Sequence, residues 1–204
     1  MENKSKFMLR AIELSIQSAK TNGGPFGCVI VKNNKIIAEG FNQVTSNNDP
    51  TAHAEIVAIR NACQNQNNFF LKDCDLYSTC EPCPMCLSAI YWAHIENIYY
   101  ANTRLDAKNI DFDDSFIYSE INKNINSRKI KMHQMHRDEA LEAFKIWDKK
   151  EDKIKYWMDI LTYTIKWSEV ILRWAHVLFA ILWVGNSFLF NYLDNKLNKK
   201  ITSK

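Results

Sequence analysis

Turn-forming residues are scarce in this chain and unevenly placed. It has five glycines and four prolines in 204 residues; no proline follows Pro84, and Gly185 is the only glycine after Gly40. Turns therefore punctuate the first 87 residues, and a run of regularly spaced tight turns is excluded from the rest. A basic excess is missing from the first three quarters: residues 1–152 hold 18 Lys and Arg against 20 Asp and Glu, whereas residues 153–204 hold 8 against 3. A domain that grips nucleic acid carries its own basic excess, so no nucleic-acid partner is expected; the basic tail can serve anionic lipid. The opening MENKSKFMLR has no apolar run, which argues against a secretory signal and for a cytoplasmic domain. Cysteine is absent after Cys86. The six present are Cys28, Cys63, Cys74, Cys80, Cys83 and Cys86. In a reducing compartment, close-set cysteines point to metal or catalysis before disulfides.

Apolar spacing predicts a coarse order of elements. Met8, Ile12, Ile16 and Ala19 repeat at helical spacing across residues 5–20. GCVIVKNNKIIAEG reads as two strands joined at Asn33-Asn34, and Asp49-Pro50 or Thr51 can start a helix through AHAEIVAIRNA. DLYST is a strand, CPMCLSAIYWAH a helix with Pro84 in its first turn, and ENIYYAN a strand. FDDSFIYSEI is a turn or short helix, RKIKMHQM a fifth strand, and RDEALEAFKIWDKKEDKIKYW a polar helix running towards the tail. Strands alternating with helices predict a layered α/β domain, with no internal repeat and no low-complexity tract.

Two segments carry chemistry. TAHAEIVA supplies His53 and Glu55, and CEPCPMCLSAI supplies Cys83 and Cys86. One His and two thiolates make a three-ligand tetrahedral zinc site with one position open, the catalytic arrangement. Cys83 and Cys86, three apart at a helix start, can face one point, where the positive end of the helix favours thiolates. Glu55 is then close to the metal without being a ligand. Zinc lowers the pKa of bound water towards ~7, and Glu55 can move the proton from that water to the ring nitrogen and then to the departing amine. The pattern H-x-E with P-C-x-x-C is the signature of zinc nucleobase deaminases. The bland alternatives are a redox pair or a structural zinc site, for which Cys80 offers a fourth ligand. Cys28, Cys63 and Cys74 read as buried small apolar residues.

Beyond these motifs, GGPFGCVIVK, SNNDPTAHAEIVAIR, STCEPCPMCLSAIYWA and FDDSFIY resemble bacterial guanine deaminases of the cytidine-deaminase-like superfamily, over residues 1–156. The resemblance implies a three-layer α/β/α domain with a five-stranded mixed sheet, one zinc ion per chain, guanine as substrate and a homodimer. It implies that Phe26 and Trp92 line a purine pocket, that Asn42 hydrogen-bonds the purine edge, and that Asp114 binds the guanine amino group and assists proton transfer. It also implies that a C-terminal aromatic, here Tyr156, closes the pocket, often that of a neighbouring subunit. A tRNA adenosine deaminase is the nearest rival; a membrane-associated purine-binding protein with structural zinc is a rival of another class.

Residues 157–204 read as a helical tail. From Val170 to Leu193 it is dominated by apolar residues, with Arg173, His176, Asn186 and Asn191 among them. A span of this length suffices to cross a bilayer; Arg173 can snorkel, Trp174 suits an interface, and Lys196, Lys199 and Lys200 follow. A buried helix of a soluble protein is the alternative. KWSEVILRWAHVLFAILWVGNSFLFNYLDN resembles the first membrane helix of the membrane-bound urate oxidase (urate hydroxylase) family. The resemblance implies a fusion of two steps of purine degradation, since deaminated guanine is xanthine, which is oxidised to urate. The apolar helix places the chain on the cytoplasmic membrane, and the thiolates and missing signal place the deaminase domain in the cytoplasm.

Overall fold

Two asparagines, Asn33 and Asn34, turn the first hairpin at φ 49° and 61°. Two successive positive φ angles make the type I′ geometry whose twist matches paired strands. In the computed structural model the backbone is described for residues 2–156 and 160–201, and side chains for residues 4–156, 168–193 and 195–196. The chain divides into two units, Met1–Tyr156 and Trp157–Lys204.

The first unit runs α1 (Glu2–Ala19), β1 (Gly27–Lys32), β2 (Lys35–Phe41), α2 (Val44–Asn47), α3 (Ala54–Gln66), β3 (Cys74–Cys80), α4 (Pro84–Trp92), β4 (Asn97–Asn102), α5 (Arg104–Lys108), α6 (Ser115–Ile121) and α7 (Arg137–Lys149). The sheet order is β2-β1-β3-β4. β1 pairs antiparallel with β2 and β3, while β3 and β4 are parallel across α4. β1 is buried on both faces. Val29 and Val31 pack with Phe7, Ala11 and Leu14 of α1; Cys28 and Ile30 pack with Ala54, Ala58 and Ala62 of α3 and Ile90 of α4. That double burial is why GCVIV is apolar throughout instead of alternating.

Two glycines set the layer spacing. A Cβ on Gly27 would lie 2.2 Å from the Ala11 carbonyl oxygen, and one on Gly40 would lie 2.3 Å from that of Ala54. Each lets a helix backbone approach the sheet more closely than any side chain allows. The approach at Gly40 seats the first turn of α3, which carries Glu55.

The three-layer α/β class holds, with one correction: the sheet has four strands among the described residues. RKIKMHQM is not a strand, and Ile130, Met132 and Met135 are 80%, 55% and 74% exposed. A strand exists by virtue of a ladder partner, which alternating apolar residues cannot supply by themselves. The outer edge of β4 pairs with no described residue. The polar helix also stops earlier than expected, at Lys149.

Among the described residues the second unit is one helix, α8 (Ile160–Ile201). Ser168–Leu193 has a mean hydropathy of 1.4 in its most apolar 18-residue window. Its 26 residues rise about 39 Å, more than a ~30 Å hydrocarbon core. At 100° per residue, Glu169, Arg173, His176, Ala180, Ser187 and Asn191 fall on one side of the helix, and most bulky apolar residues on the others. The side chains of Lys199 and Lys200 lie outside the described residues.

Candidate active site and metal centre

Two helix starts converge at the site. His53 is the N-cap of α3 and Cys83 the N-cap of α4, both with extended backbone, and neither side chain is used for capping. Pro84 fits the first turn of α4, where its missing N–H costs nothing. The Nδ1 of His53 lies 3.6 Å from Cys83 Sγ and 3.5 Å from Cys86 Sγ. For tetrahedral zinc with Zn–S ≈ 2.3 Å and Zn–N ≈ 2.0–2.1 Å, the nitrogen–sulfur edge is about 3.5 Å. The donor set therefore fits zinc in kind and in spacing, all three atoms lying within 4.8 Å of one another.

Cys80 does not complete the group. Its thiol turns to the Thr103 carbonyl at 3.6 Å, and burial pushes its pKa up to about 11. The described residues thus offer three ligands and no fourth, which separates this site from a closed structural one. A hydrogen bond from Cys86, joined by one from His53, brings the Cys83 thiol down to about 4. Cys86 is correspondingly raised, and the contact between His53 and Cys83 raises His53.

Glu55, in the first turn of α3, is buried. Its Oε1 accepts from Ser78 Oγ at 3.0 Å, and its Oε2 accepts from Cys86 Sγ at 3.4 Å. Burial raises its pKa above the ordinary carboxylate value. Ser78 is a partner of Glu55 that the sequence reading missed. The available signal was a hydroxyl at a fully buried position of β3, where polar groups need a partner.

The two aspartates of FDDSF divide their roles. Asp113 accepts from Ser115 N at 3.0 Å and Oγ at 2.5 Å, pairs with Lys108 at 3.0 Å, and is held at about 2 chiefly by the Ser115 hydroxyl. It satisfies the start of α6. Asp114 is thereby released from capping. It is partly buried, and its pKa is raised first by burial and then by the Cys83 thiolate.

Asn42 is buried just past β2. Its Oδ1 accepts from Gly24 N and Val44 N, both at 3.3 Å, which commits the carbonyl to the backbone and leaves the NH₂ as the end available to a ligand. Phe26 meets Phe112 edge-on with ring centroids 4.9 Å apart. Phe112 is a second residue that the sequence reading did not assign. Trp92 ends α4, nine residues and about 13 Å of helix axis from Cys83. It sits 6.0 Å from Tyr156, which also meets Trp147 at 6.5 Å and whose carbonyl lies 3.3 Å from His94 Nε2. His53, Glu55, Cys83 and Cys86 are thus brought together, while Trp92 and Tyr156 form an aromatic group of their own.

Fold and donor set define a zinc-dependent deaminase. The chain belongs to the family described as cytidine and deoxycytidylate deaminase zinc-binding region, whose model matches residues 1–102. Within it, the chain is 49% identical over 155 residues to the guanine deaminase of Bacillus subtilis strain 168, covering 76% of this chain and 99% of that protein. The X-ray structure of a Bacillus subtilis guanine deaminase superposes with a TM-score of 0.72 at 49% identity, over 74% of this chain and 98% of that one. A guanine deaminase structure from Nitrosomonas europaea matches with a TM-score of 0.51 at 29% identity, over 53% and 63% of the two chains. A tRNA-specific adenosine deaminase of Buchnera aphidicola is 36% identical over 134 residues, 66% of this chain and 87% of that protein. Residues 162–204 match a separate family model, urate oxidase N-terminal.

Proposed function

We propose that residues 1–156 catalyse the hydrolysis of guanine and water to xanthine and ammonia, using one zinc ion per chain. The observation that carries this reading is the three-ligand group with the buried Glu55 carboxylate bonded beside it. Bound by His53, Cys83 and Cys86, zinc would acidify water enough to supply a nucleophile at neutral pH. Glu55, oriented by Ser78, would take one proton from the water and deliver it to the ring nitrogen, then carry the second proton, from the added hydroxyl, to the amine, which leaves as ammonia. Asp114 accepts a hydrogen bond from the guanine amino group. The Asn42 NH₂ donates to an acceptor on the purine edge, and Phe26 packs on the base. Ammonia release from guanine, adenine, cytosine and tRNA, measured side by side, tests the assignment. Guanine should dominate; preferred turnover of tRNA would overturn it.

The same reading extends to assembly. Phe116, Ile117, Ile121, Phe144 and Trp147 are exposed, a density of apolar surface that favours a second copy as cover. In a homodimer, Tyr156 and Trp92 would act on the pocket of the neighbouring copy, which suits their distance along α4 from the thiolates of their own. Sedimentation equilibrium should show a dimer; a monomer at micromolar concentration would remove the idea. Residues 157–204 form the tail domain, and α8 attaches the chain to the cytoplasmic membrane. Its length, its apolar sides and its match to the urate oxidase N-terminal family support this. Its polar side would face other protein, since ionisable groups within a bilayer turn away from lipid. Full-length protein should resist a carbonate wash of membranes, and protein ending near Lys166 should be soluble. A full chain that stays in the soluble fraction would instead make α8 a protein interface.

A further inference from the structure

We propose that Tyr118 is a positioning residue: its hydroxyl ties the turn bearing Asp114 to the loop bearing Cys83, and the Arg104 guanidinium holds its ring in place. The inference rests on the role of Asp114 in the function proposed above. Tyr118 stands one turn after Asp114, so both lie on one side of α6, and its N–H donates to the Asp114 carbonyl at 3.3 Å. The Tyr118 hydroxyl donates to the Pro82 carbonyl at 3.4 Å, one residue before the first thiolate ligand. The Arg104 guanidinium lies 4.7 Å from the Tyr118 ring centroid, a cation–π distance, and Arg104 N donates to Glu81 Oε2 at 3.3 Å. Glu81 N in turn donates to the Asn102 carbonyl at 2.9 Å. Three segments, Glu81–Cys83, Asn102–Arg104 and Asp114–Tyr118, therefore meet at one phenol.

That phenol matters because little else fixes α6, which buries no residue. The other aromatic tether lies on the opposite side of the aspartates, where Phe112 meets Phe26. Asp114 is thus flanked by two aromatic contacts, and the Tyr118 contact is the one that sets its distance from the metal ligands. Substrate orientation is sensitive to such placement, because small displacements of a group that touches the reacting atoms cost rate.

Tyr118→Phe removes the hydroxyl and keeps the ring. With guanine, kcat should fall roughly 3- to 10-fold, the loss of one hydrogen bond, with KM within about twofold. Zinc content and thermal midpoint should match the parent. In an Asp114→Asn background the same substitution should cost nothing further, because the tether acts only through that carboxylate. Arg104→Met should lower kcat in the same direction by a smaller factor, again only when Asp114 is present. Parental kcat in Tyr118→Phe, equal losses with and without Asp114, or loss of zinc or melting temperature would each overturn the proposal. Guanine turnover by the parent protein separates the two levels. If the parent turns over guanine, these failures concern Tyr118 alone; if it does not, the functional reading fails and takes the tether with it.

Discussion

The two stretches of the first unit, before and after Asn102, use apolar residues in opposite ways. Of the buried apolar residues in the described structure, only Ala107 lies beyond Asn102. Past that point Phe112, Phe116, Ile117, Ile121, Phe144 and Trp147 are all exposed. The first stretch makes both core clusters, holds the three metal ligands and carries Glu55. The second has no core of its own, yet it carries Asp114 and Tyr156, two of the residues proposed above to meet the substrate; Phe26, Asn42 and Trp92 belong to the first. In the proposed function, water activation is thus confined to the part that folds on itself, while the residues that would meet the substrate are divided between that part and one resting on a few tethers. The division follows from physics: a metal site needs rigid ligands, which helix starts clamped to a sheet provide, whereas a recognition loop can be altered without disturbing the core.

The sharpest way to break this comparison is at Glu55. Glu55→Gln keeps the shape and the Ser78 contact but removes the proton carrier. Turnover of guanine should fall by roughly 10²- to 10⁴-fold, while zinc content and thermal midpoint stay near those of the parent. Loss of zinc together with folding would mean that the residue holds the structure and not the chemistry. Next is Asp114→Asn, in the second stretch. It removes one charge-assisted hydrogen bond, so guanine turnover should fall roughly 10- to 100-fold with no change in zinc content or stability. Early melting would show that the stretch after Asn102 is structural after all.

How much of this was legible in the sequence follows the same division. The candidate metal ligands could be read because each needs a fixed residue type at a fixed place in a helix start, one on α3 and two on α4. The Asn33-Asn34 turn could be read because φ > 0 is chemically restrictive. Phe26, Asn42 and Asp114 became candidates only through family resemblance, because nothing local marks a residue whose proposed partner is a ligand. RKIKMHQM was misread because Ile130 and Met132 alternate like a strand, while strand status depends on a neighbour that one sequence does not contain. Ser78 and Tyr118 escaped notice because their partners, Glu55 and Pro82, are 23 and 36 residues away. The division of labour between Asp113 and Asp114 was likewise invisible until the hydroxyl of Ser115 chose one of them.

A structural substitution probes the first stretch directly. Gly40→Ala would push a methyl to 2.3 Å from the Ala54 carbonyl and 2.6 Å from the Ala58 nitrogen, both backbone atoms that cannot rotate aside. The first turn of α3 must move, and His53 and Glu55 with it. We expect a loss of about 1–3 kcal/mol, a drop of roughly 3–10 °C in thermal midpoint, and weaker zinc retention. Unchanged stability and zinc retention would mean that α3 is not seated by this contact, and that the first stretch is less rigid than its burial suggests.

The smallest expected effect comes from charge pairs, which occur in both stretches. Arg10 Nε and Nη2 donate to the two oxygens of Glu39 at 2.7 and 2.8 Å, joining α1 to β2. In the second stretch Arg137–Asp138 and Lys145–Glu142 join near neighbours on one helix. Hydrogen bonding from Arg10 holds the Glu39 carboxyl below its ordinary value of 4.5. A carboxylate with a depressed folded-state pKa stabilises above its unfolded value, and that contribution fades as pH falls through the folded value. Glu39→Gln should therefore lower the thermal midpoint at pH 7 and lose its effect in acid, as the parent carboxyl becomes protonated too. Both partners are about a third exposed, so the pair contributes roughly 0.5 kcal/mol after screening, a shift of about 1–2 °C. Glu142→Gln should change nothing measurable at either pH. If the two variants behave alike, the ion pair adds nothing to the closure of α1 on the sheet, and apolar burial alone distinguishes the two stretches.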